Sequence, residues 1–259
     1  MKNAEKTAAV DFCGKISYNY IEVNEMLLRY EETINLRAND FSCDHAAKVS
    51  AILDLMQTVA QNHSRSLNMG EEELRKRDIL WVLAKMRITV VGKFPYCGTV
   101  KAVTIPQPKT KTSYVRDYYV YDVNGGLLAK GSSVWCLVNA ETRRLMPAII
   151  EYVGEYVGTK AYDDNFALIP SVEFDAPSYS CYVQNSEVDV NGHLNNTRYA
   201  DYILNSFPGP VPFSGFEISY AKEAVKGDRI DIGLKEYDGY WLASGKVNGD
   251  ACFRAKLLK

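Results

Sequence analysis

No apolar run in this sequence approaches the roughly eighteen residues that a membrane-spanning helix needs. The opening Met1-Lys2-Asn3-Ala4-Glu5-Lys6 lacks the apolar stretch of a secretory leader. Both absences predict a cytoplasmic protein with no membrane partner. Histidine is scarce, with only His45, His63 and His193, and none falls in an H-E-x-x-H run. P-loop, G-x-G-x-x-G and G-x-S-x-G motifs are missing as well, which argues against zinc, nucleotide, dinucleotide and serine-hydrolase chemistry together. No metal and no cofactor is expected. Neither sign of charge dominates, at 30 Lys plus Arg against 32 Asp plus Glu, so nothing advertises a nucleic-acid partner. The six cysteines, Cys13, Cys43, Cys97, Cys136, Cys181 and Cys252, contain no C-x-x-C pair and are expected to be reduced thiols.

The 259 residues are 47% hydrophobic and 12% aromatic, enough to bury a core in one large domain or two ordinary ones. Val49, Ile52, Leu53, Met56, Val59 and Ala60 follow the i, i+3, i+4, i+7 spacing of a helical stripe. With Ala46, Ala47, Ala51 and Leu55 added, this helix is apolar nearly all round, as if wrapped by a sheet. A charged stretch, 70–78, leads to strand-like runs at 79–91, 99–105, 113–123 and 127–138. The last two flank Asn124-Gly125-Gly126, a hairpin signal.

The second half repeats that order. A strand-like run at 179–183 precedes a helical stripe at Tyr199, Tyr202 and Ile203, and strand candidates follow at 216–221, 229–237, 240–247 and 251–258. Asn248-Gly249-Asp250 marks a hairpin in the place of Asn124-Gly125-Gly126. The repeat predicts an α+β double hot-dog, two tandem helix-wrapped antiparallel sheets forming one extended sheet. Its first unit is expected at 22–147, a connection at 148–171 and the second unit at 172–259.

Chemistry concentrates where the second helix should begin. Asp189-Val190-Asn191-Gly192-His193-Leu194-Asn195-Asn196 places a carboxylate, a carboxamide and an imidazole at i, i+2 and i+4. Asn195 or Asn196 suits the N-cap, and the free N–H groups of a helix start and of the chain near Gly192 can bind an oxyanion. Pairing Val49 with Tyr199 sets Asn39, Phe41 and Cys43 against Asp189, Asn191 and His193, and pairing the strands sets Phe94 against Glu223. A slip of a few residues brings Asp44-His45 closer, but the first half still lacks the full set. In a sheet curled round the helix, Glu223 is expected to reach His193.

These residues carry a family resemblance. The run Asp189-x-Asn191-x-His193-x-Asn195-Asn196-x-x-Tyr199 is similar to the active-site motif of acyl-acyl-carrier-protein (acyl-ACP) thioesterases of the bacterial and plant type, and Tyr220-Ala221-Lys222-Glu223 resembles the family segment bearing a catalytic Glu. Leu80-Trp81-Val82, Ser132-Ser133-Val134-Trp135 and Thr142-Arg143-Arg144-Leu145 also resemble the family's stretches. The resemblance covers essentially all of the chain after about Arg29. It implies a double hot-dog enzyme whose second copy cleaves fatty acyl thioesters while the first holds the acyl chain. Ala224 stands where plant members commonly have Cys, which excludes a thiol nucleophile there.

The expected reaction is hydrolysis of a fatty acyl thioester carried by acyl carrier protein. Glu223 would act as general base or nucleophile, Asn191 and His193 would position water and substrate, and Asp189 would orient its neighbours. Val49, Ile52, Leu53, Met56, Trp81 and Leu83 are candidates for the acyl-chain wall. Lys109, Lys111, Arg116, Arg143 and Arg144 are candidates for docking an acidic carrier. The alternatives are an acyl-coenzyme A thioesterase, a non-catalytic acyl-binding hot-dog protein and a hot-dog hydratase, in a monomer or homodimer.

Overall fold

The computed structural model describes residues 27–209 and 213–259, with the backbone of 6–10 and 16–20. Cys13 and residues 22–26 of the expected first unit lie outside the described residues. Strands β1 (Lys6–Val10) and β2 (Ile16–Tyr20) pair with each other alone. The first copy contains β3 (Tyr30–Asn35), α1 (Val49–Ser66), α2 (Glu71–Arg75), β4 (Ile79–Val90), β5 (Thr99–Pro106), β6 (Tyr114–Tyr121), β7 (Leu127–Asn139) and the short β8 (Leu145–Met146). The second contains β9 (Tyr179–Tyr182), α3 (Arg198–Asn205), β10 (Gly215–Tyr220), β11 (Arg229–Tyr237), β12 (Tyr240–Val247) and β13 (Asp250–Leu258).

All strands from β3 onward belong to one 11-stranded antiparallel sheet, ordered β3-β5-β6-β7-β4-β10-β13-β12-β11-β9 with β8 on β7. Read outward from the central β4-β10 pair, each half has the same connectivity, so the duplication is a property of the topology. The joint is a ladder in which Phe216, Glu217 and Ile218 oppose Ile88, Arg87 and Met86. Period-2 alternation sends Met86, Ile88, Phe216 and Ile218 to the helical side, where all four are buried. The result is the double hot-dog.

Helix α1 lies on that concave face. Val49, Ile52, Leu53, Met56 and Val59 are at most 2% exposed, and each such side chain contributes roughly 1.5–3 kcal/mol by leaving water. They share one continuous core with Ile203 of α3 and Phe253 of β13. The helix can come this close because β7 carries Gly131 beneath it. A Cβ there would lie 2.7 Å from Met56 Sδ and 3.0 Å from the Arg87 carbonyl oxygen.

The connection has no regular structure, yet it is strapped across the convex face of both halves. Gln107 donates to the Thr159 carbonyl, Ala161 N–H donates to buried Asp117, and Val172 N–H donates to Ser244 Oγ. Arg87 sits 3.8 Å from the Tyr162 ring centroid and donates to Asp164. These bonds satisfy much of a long irregular segment that would otherwise bury unpaired backbone. Irregular chain continues to Ser178, a little beyond the expected 171.

One buried polar cluster lies under the last turn of α1. Arg116 Nη1 donates to His63 Nδ1 at 2.9 Å and to Thr104 Oγ1 at 3.3 Å, and Nη2 donates to Tyr152 Oη at 3.4 Å. Tyr30 stacks on the imidazole. Burial, and then the Arg116 charge, push the His63 pKa down to about 4.

Two outcomes follow from this packing. Gly131→Ala should lower the urea stability by about 1–3 kcal/mol, because neither Met56 nor the Arg87 backbone can withdraw without opening a neighbouring gap. Neutral His63 also makes stability depend on pH. The unfolded chain takes up this proton below its ordinary value of 6.5, whereas the folded protein does so only near 4, so this contribution is present above 6.5 and declines as pH falls towards 4. Unfolding curves should show that decline over this window, and His63→Gln should make it shallower.

Candidate active site

The Asp189–His193 turn is built by its first residue. Asp189 Oδ1 accepts from Asn191 N–H at 2.8 Å and His193 N–H at 3.2 Å, its carbonyl accepts from Gly192 N–H, and its own N–H donates to the His193 carbonyl. Gly192 takes φ +79 at the corner, which an L side chain adopts only with strain. The backbone donors expected to bind an oxyanion near Gly192 are therefore spent inside the turn. Asp189 holds Asn191, Gly192 and His193 by their main-chain N–H groups.

The helix start also differs from expectation. α3 begins at Arg198 with Thr197 as its cap residue, because Asn195 Oδ1 is used one step earlier, accepting from Thr197 N–H and Thr197 Oγ1–H. An amide whose oxygen is committed in this way leaves its Nδ2 donor for another partner. Asn191 is oriented similarly, since its Oδ1 accepts from Arg75 of α2 in the other copy.

Glu223 and His193 do meet. After β10 the chain continues beside the turn, with Leu194 N–H donating to the Ala224 carbonyl at 2.8 Å and Ala224 N–H donating to Tyr199 Oη at 3.2 Å. His193 and Val225 form an isolated antiparallel bridge. These contacts bring Glu223 Oε2 to 3.3 Å from His193 Nε2. Tyr220 Oη donates to the Asn196 carbonyl, fixing the other end of the loop. Glu223 also accepts from Arg143 Nη2 on both carboxylate oxygens. Arg143 stands in the tight turn between β7 and β8 with φ +56, so this partner comes from the first copy as well.

The equivalent loop of the first copy identifies the true pairing. Ser42 N–H donates to the Ala46 carbonyl as Asp189 N–H donates to that of His193, and the Phe41-Ala47 bridge repeats Val188-Leu194. His45, at φ +62, stands where Gly192 does. Ser42, Asp44 and Ala46 therefore oppose Asp189, Asn191 and His193, replacing the expected Asn39, Phe41 and Cys43. Gly98 N–H donates to the Pro95 carbonyl as Asp228 N–H donates to that of Val225, so Lys93, and not Phe94, opposes Glu223. The first copy has neither the imidazole nor the carboxylate.

A cavity of about 410 Å³ runs between this loop and the first copy. Asp189, Val190, Asn191, Asn195 and Asn196 line one side, and Leu80, Trp81, Tyr114, Trp135, Tyr152 and Arg116 line the other. Gln57, Ala60, Gln61 and Ser64 of α1 lie along it. Of the residues expected on an acyl wall, Trp81 is there. Val49, Ile52, Leu53, Met56 and Leu83 sit instead in the core, at 2% exposure or less. Helical apolar spacing marked the stripe facing the sheet, and the cavity uses the polar stripe beside it.

The expected docking cations separate too. Arg116 is buried in the cluster with His63, which rules it out as a surface contact. Arg143 is committed to Glu223, and Lys109 to the Ala148 carbonyl and Glu151. Lys111 and Arg144 are exposed. No reactive thiol lies in the loop: Ala224 is fully buried, and burial pushes Cys181 and Cys252 up to about 12. Among the described residues, no helix is long and apolar enough to cross a membrane.

Comparison with known proteins agrees with this architecture. A crystal structure of an acyl-ACP thioesterase from Bacteroides thetaiotaomicron superposes with TM-score 0.79 at 21% identity, covering 89% of this chain and 97% of that one. The 12:0-ACP thioesterase from Umbellularia californica gives 0.73 at 22% identity, over 89% and 96% of the respective chains. A palmitoyl-acyl carrier protein thioesterase, chloroplastic, from Cuphea hookeriana is 28% identical over 200 residues, 71% of this chain and 48% of that protein. An oleoyl-acyl carrier protein thioesterase 1, chloroplastic, from Arabidopsis thaliana is 26% identical over 229 residues, 79% of this chain and 63% of that protein. The chain thus spans about half to two thirds of the length of these curated relatives. The acyl-ACP thioesterase N-terminal domain matches residues 28–156 and the C-terminal domain matches residues 175–246, and on that footing the chain belongs to the acyl-ACP thioesterase family.

Proposed function

We propose that this protein hydrolyses acyl thioesters of acyl carrier protein to the free acid and the carrier thiol. The observation that carries this reading is the Glu223-His193 contact of 3.3 Å, beside a loop that forms one wall of the cavity. The palmitoyl- and oleoyl-acyl carrier protein thioesterases to which the chain is similar support the reaction class. The second copy supplies the chemistry, and the first supplies most of the acyl site and two arginines.

Glu223 is shared between Arg143 and His193. With Nε2–H donated to this carboxylate, Nδ1 is the acceptor left on the imidazole and takes the proton of the attacking water. This moves the base from Glu223 to His193 and gives Glu223 the task of orienting the ring and stabilising its cation. Water oxygen bonds to the thioester carbon, and the Nδ2 donors of Asn191 and Asn195 receive the oxyanion. The C–S bond then breaks, and the departing thiolate takes the proton back from the imidazole.

Lys111 and Arg144 remain from the expected docking set as contacts for an acidic carrier. A cytoplasmic, reducing setting is part of the same proposal, consistent with the unpaired Cys43, Cys97, Cys136, Cys181 and Cys252.

Incubation with acyl carrier protein loaded with a range of acyl chains, followed by assay of free thiol and free acid, tests the reaction. His193→Ala and Glu223→Gln should each lower kcat by about 10²- to 10⁴-fold while the protein stays folded. Near-normal turnover in a folded variant removes that residue from the mechanism. Arg143→Ala should reduce kcat more than it raises KM, with partial recovery in Arg143→Lys, since a single ammonium restores the charge but not the forked contact. A faster reaction on the same acyl group carried by coenzyme A would overturn the assignment of the carrier.

A further inference from the structure

Two polar groups at the cavity are only partly answered by the protein: Arg116 is hydrogen-bonded but has no counter-charge, and Gln57 Nε2 has no hydrogen-bond partner. Arg116 is 4% exposed and lines the cavity, yet its partners are His63, Thr104 and Tyr152, all without negative charge. Among the described residues no carboxylate lies within ion-pair distance of it. A buried guanidinium is ordinarily paired, because desolvating an unpaired charge is costly. Gln57 Nε2 is buried, lines the same cavity and has no hydrogen-bond partner.

The polar atoms of the aromatic wall are already occupied. Trp81 Nε1 donates to the Met69 carbonyl, Trp135 Nε1 donates to Ser133 Oγ, and Tyr114 Oη accepts from Ile150 N–H. Their rings present apolar surface, with Trp81 and Tyr114 packed edge to face at 4.8 Å. The wall therefore combines aromatic faces suited to methylenes with an uncompensated cation and one unanswered donor. A plain alkyl chain would cover the faces and leave the Arg116 charge without a counter-charge and Gln57 Nε2 without an acceptor, which the cost of burying an unpaired charge and an unmade hydrogen bond disfavours. The stripe of α1 along the cavity, Gln57, Ala60, Gln61 and Ser64, points the same way, since a site for plain hydrocarbon gains nothing from two carboxamides and a hydroxyl.

Resting on the thioesterase reading, we propose that the acyl chain this protein accepts carries an oxygen function, a hydroxyl or a carboxylate, beyond its thioester carbon, and that Arg116 and Gln57 recognise that oxygen. The neutral imidazole of His63 fits this role. By accepting from Arg116 Nη1 it aims the guanidinium without cancelling its charge.

The test compares four thioesters of one chain length on acyl carrier protein: unsubstituted, 3-hydroxy, ω-hydroxy and ω-carboxy. Rates of thiol release give kcat/KM for each with the wild-type protein, Arg116→Met and Gln57→Leu. At least one oxygenated chain should exceed the unsubstituted chain about tenfold or more, since a site built to bond a substrate oxygen discriminates strongly against the analogue lacking it. Both variants should reduce that ratio, and the favoured position on the chain locates the bonded oxygen. Gln57→Leu removes no bond within the protein, so it keeps the test decisive if Arg116→Met fails to fold. A preference for the unsubstituted chain, or an oxygen preference that survives Gln57→Leu and a folded Arg116→Met, overturns the inference alone. Absence of thiol release from all four chains overturns the thioesterase reading and this inference with it.

Discussion

The antiparallel ladder between β4 and β10 is the constraint on which the rest depends. It joins two five-strand arrangements of the same connectivity along their innermost strands, so the helices of both copies share one concave face and one core. Because the pairing is fixed residue by residue, every side chain along the joint has an assigned face. A slip of one position by either strand would turn its apolar pair, Met86 and Ile88 or Phe216 and Ile218, outward and bring Arg87 or Glu217 inward. The strap across the convex face reinforces that register, with Arg87 gripped by Tyr162 and Asp164.

This constraint makes the candidate site a product of both copies. His193, Glu223 and the Asp189 turn belong to the second, but the arginines that hold Glu223 and Asn191 come from β7-β8 and α2 of the first. The cavity likewise has its loop wall in one copy and its aromatic wall in the other. Electrostatics follow the same division. The second copy contributes the Glu223 carboxylate and the Asn191 amide, and the first contributes the cations that keep these two oriented.

Much of the fold was legible because period and punctuation agree. β11 and β12 fall where alternation between turn residues puts them, and α1 begins at Val49 as its apolar stripe requires. β3 escaped notice because it is an edge strand whose alternate positions carry Glu31, Thr33 and Asn35, leaving a weak apolar signal. α2 was hidden in a charged run, although Glu71, Glu72 and Glu73 at its start and Arg75 at its end complement the helix dipole. The meeting of Glu223 with His193 was readable from motif and topology together. Arg143 was expected only as a docking contact and Arg75 not at all, since their contacts with Glu223 and Asn191 span 80 and 116 positions of sequence. Most residues expected on an acyl wall fall in the core for a different reason: apolar spacing reports what packs against the sheet, whereas the cavity is lined by residues the core does not need.

The mismatch between the two loops has a consequence for why such a chain is fused. An assembly of two identical subunits related by rotation must place the same residues at both ends of its interface. Here one end holds Ala46 and Lys93 where the other holds His193 and Glu223. Covalent duplication releases the ends from that equality, so one can lose its reactive groups and become a wall shaped for cargo while the other keeps them. Tethering two like modules thus lets a symmetric scaffold acquire polarity, with an imidazole and a carboxylate at one end and Ala46 and Lys93 in their places at the other.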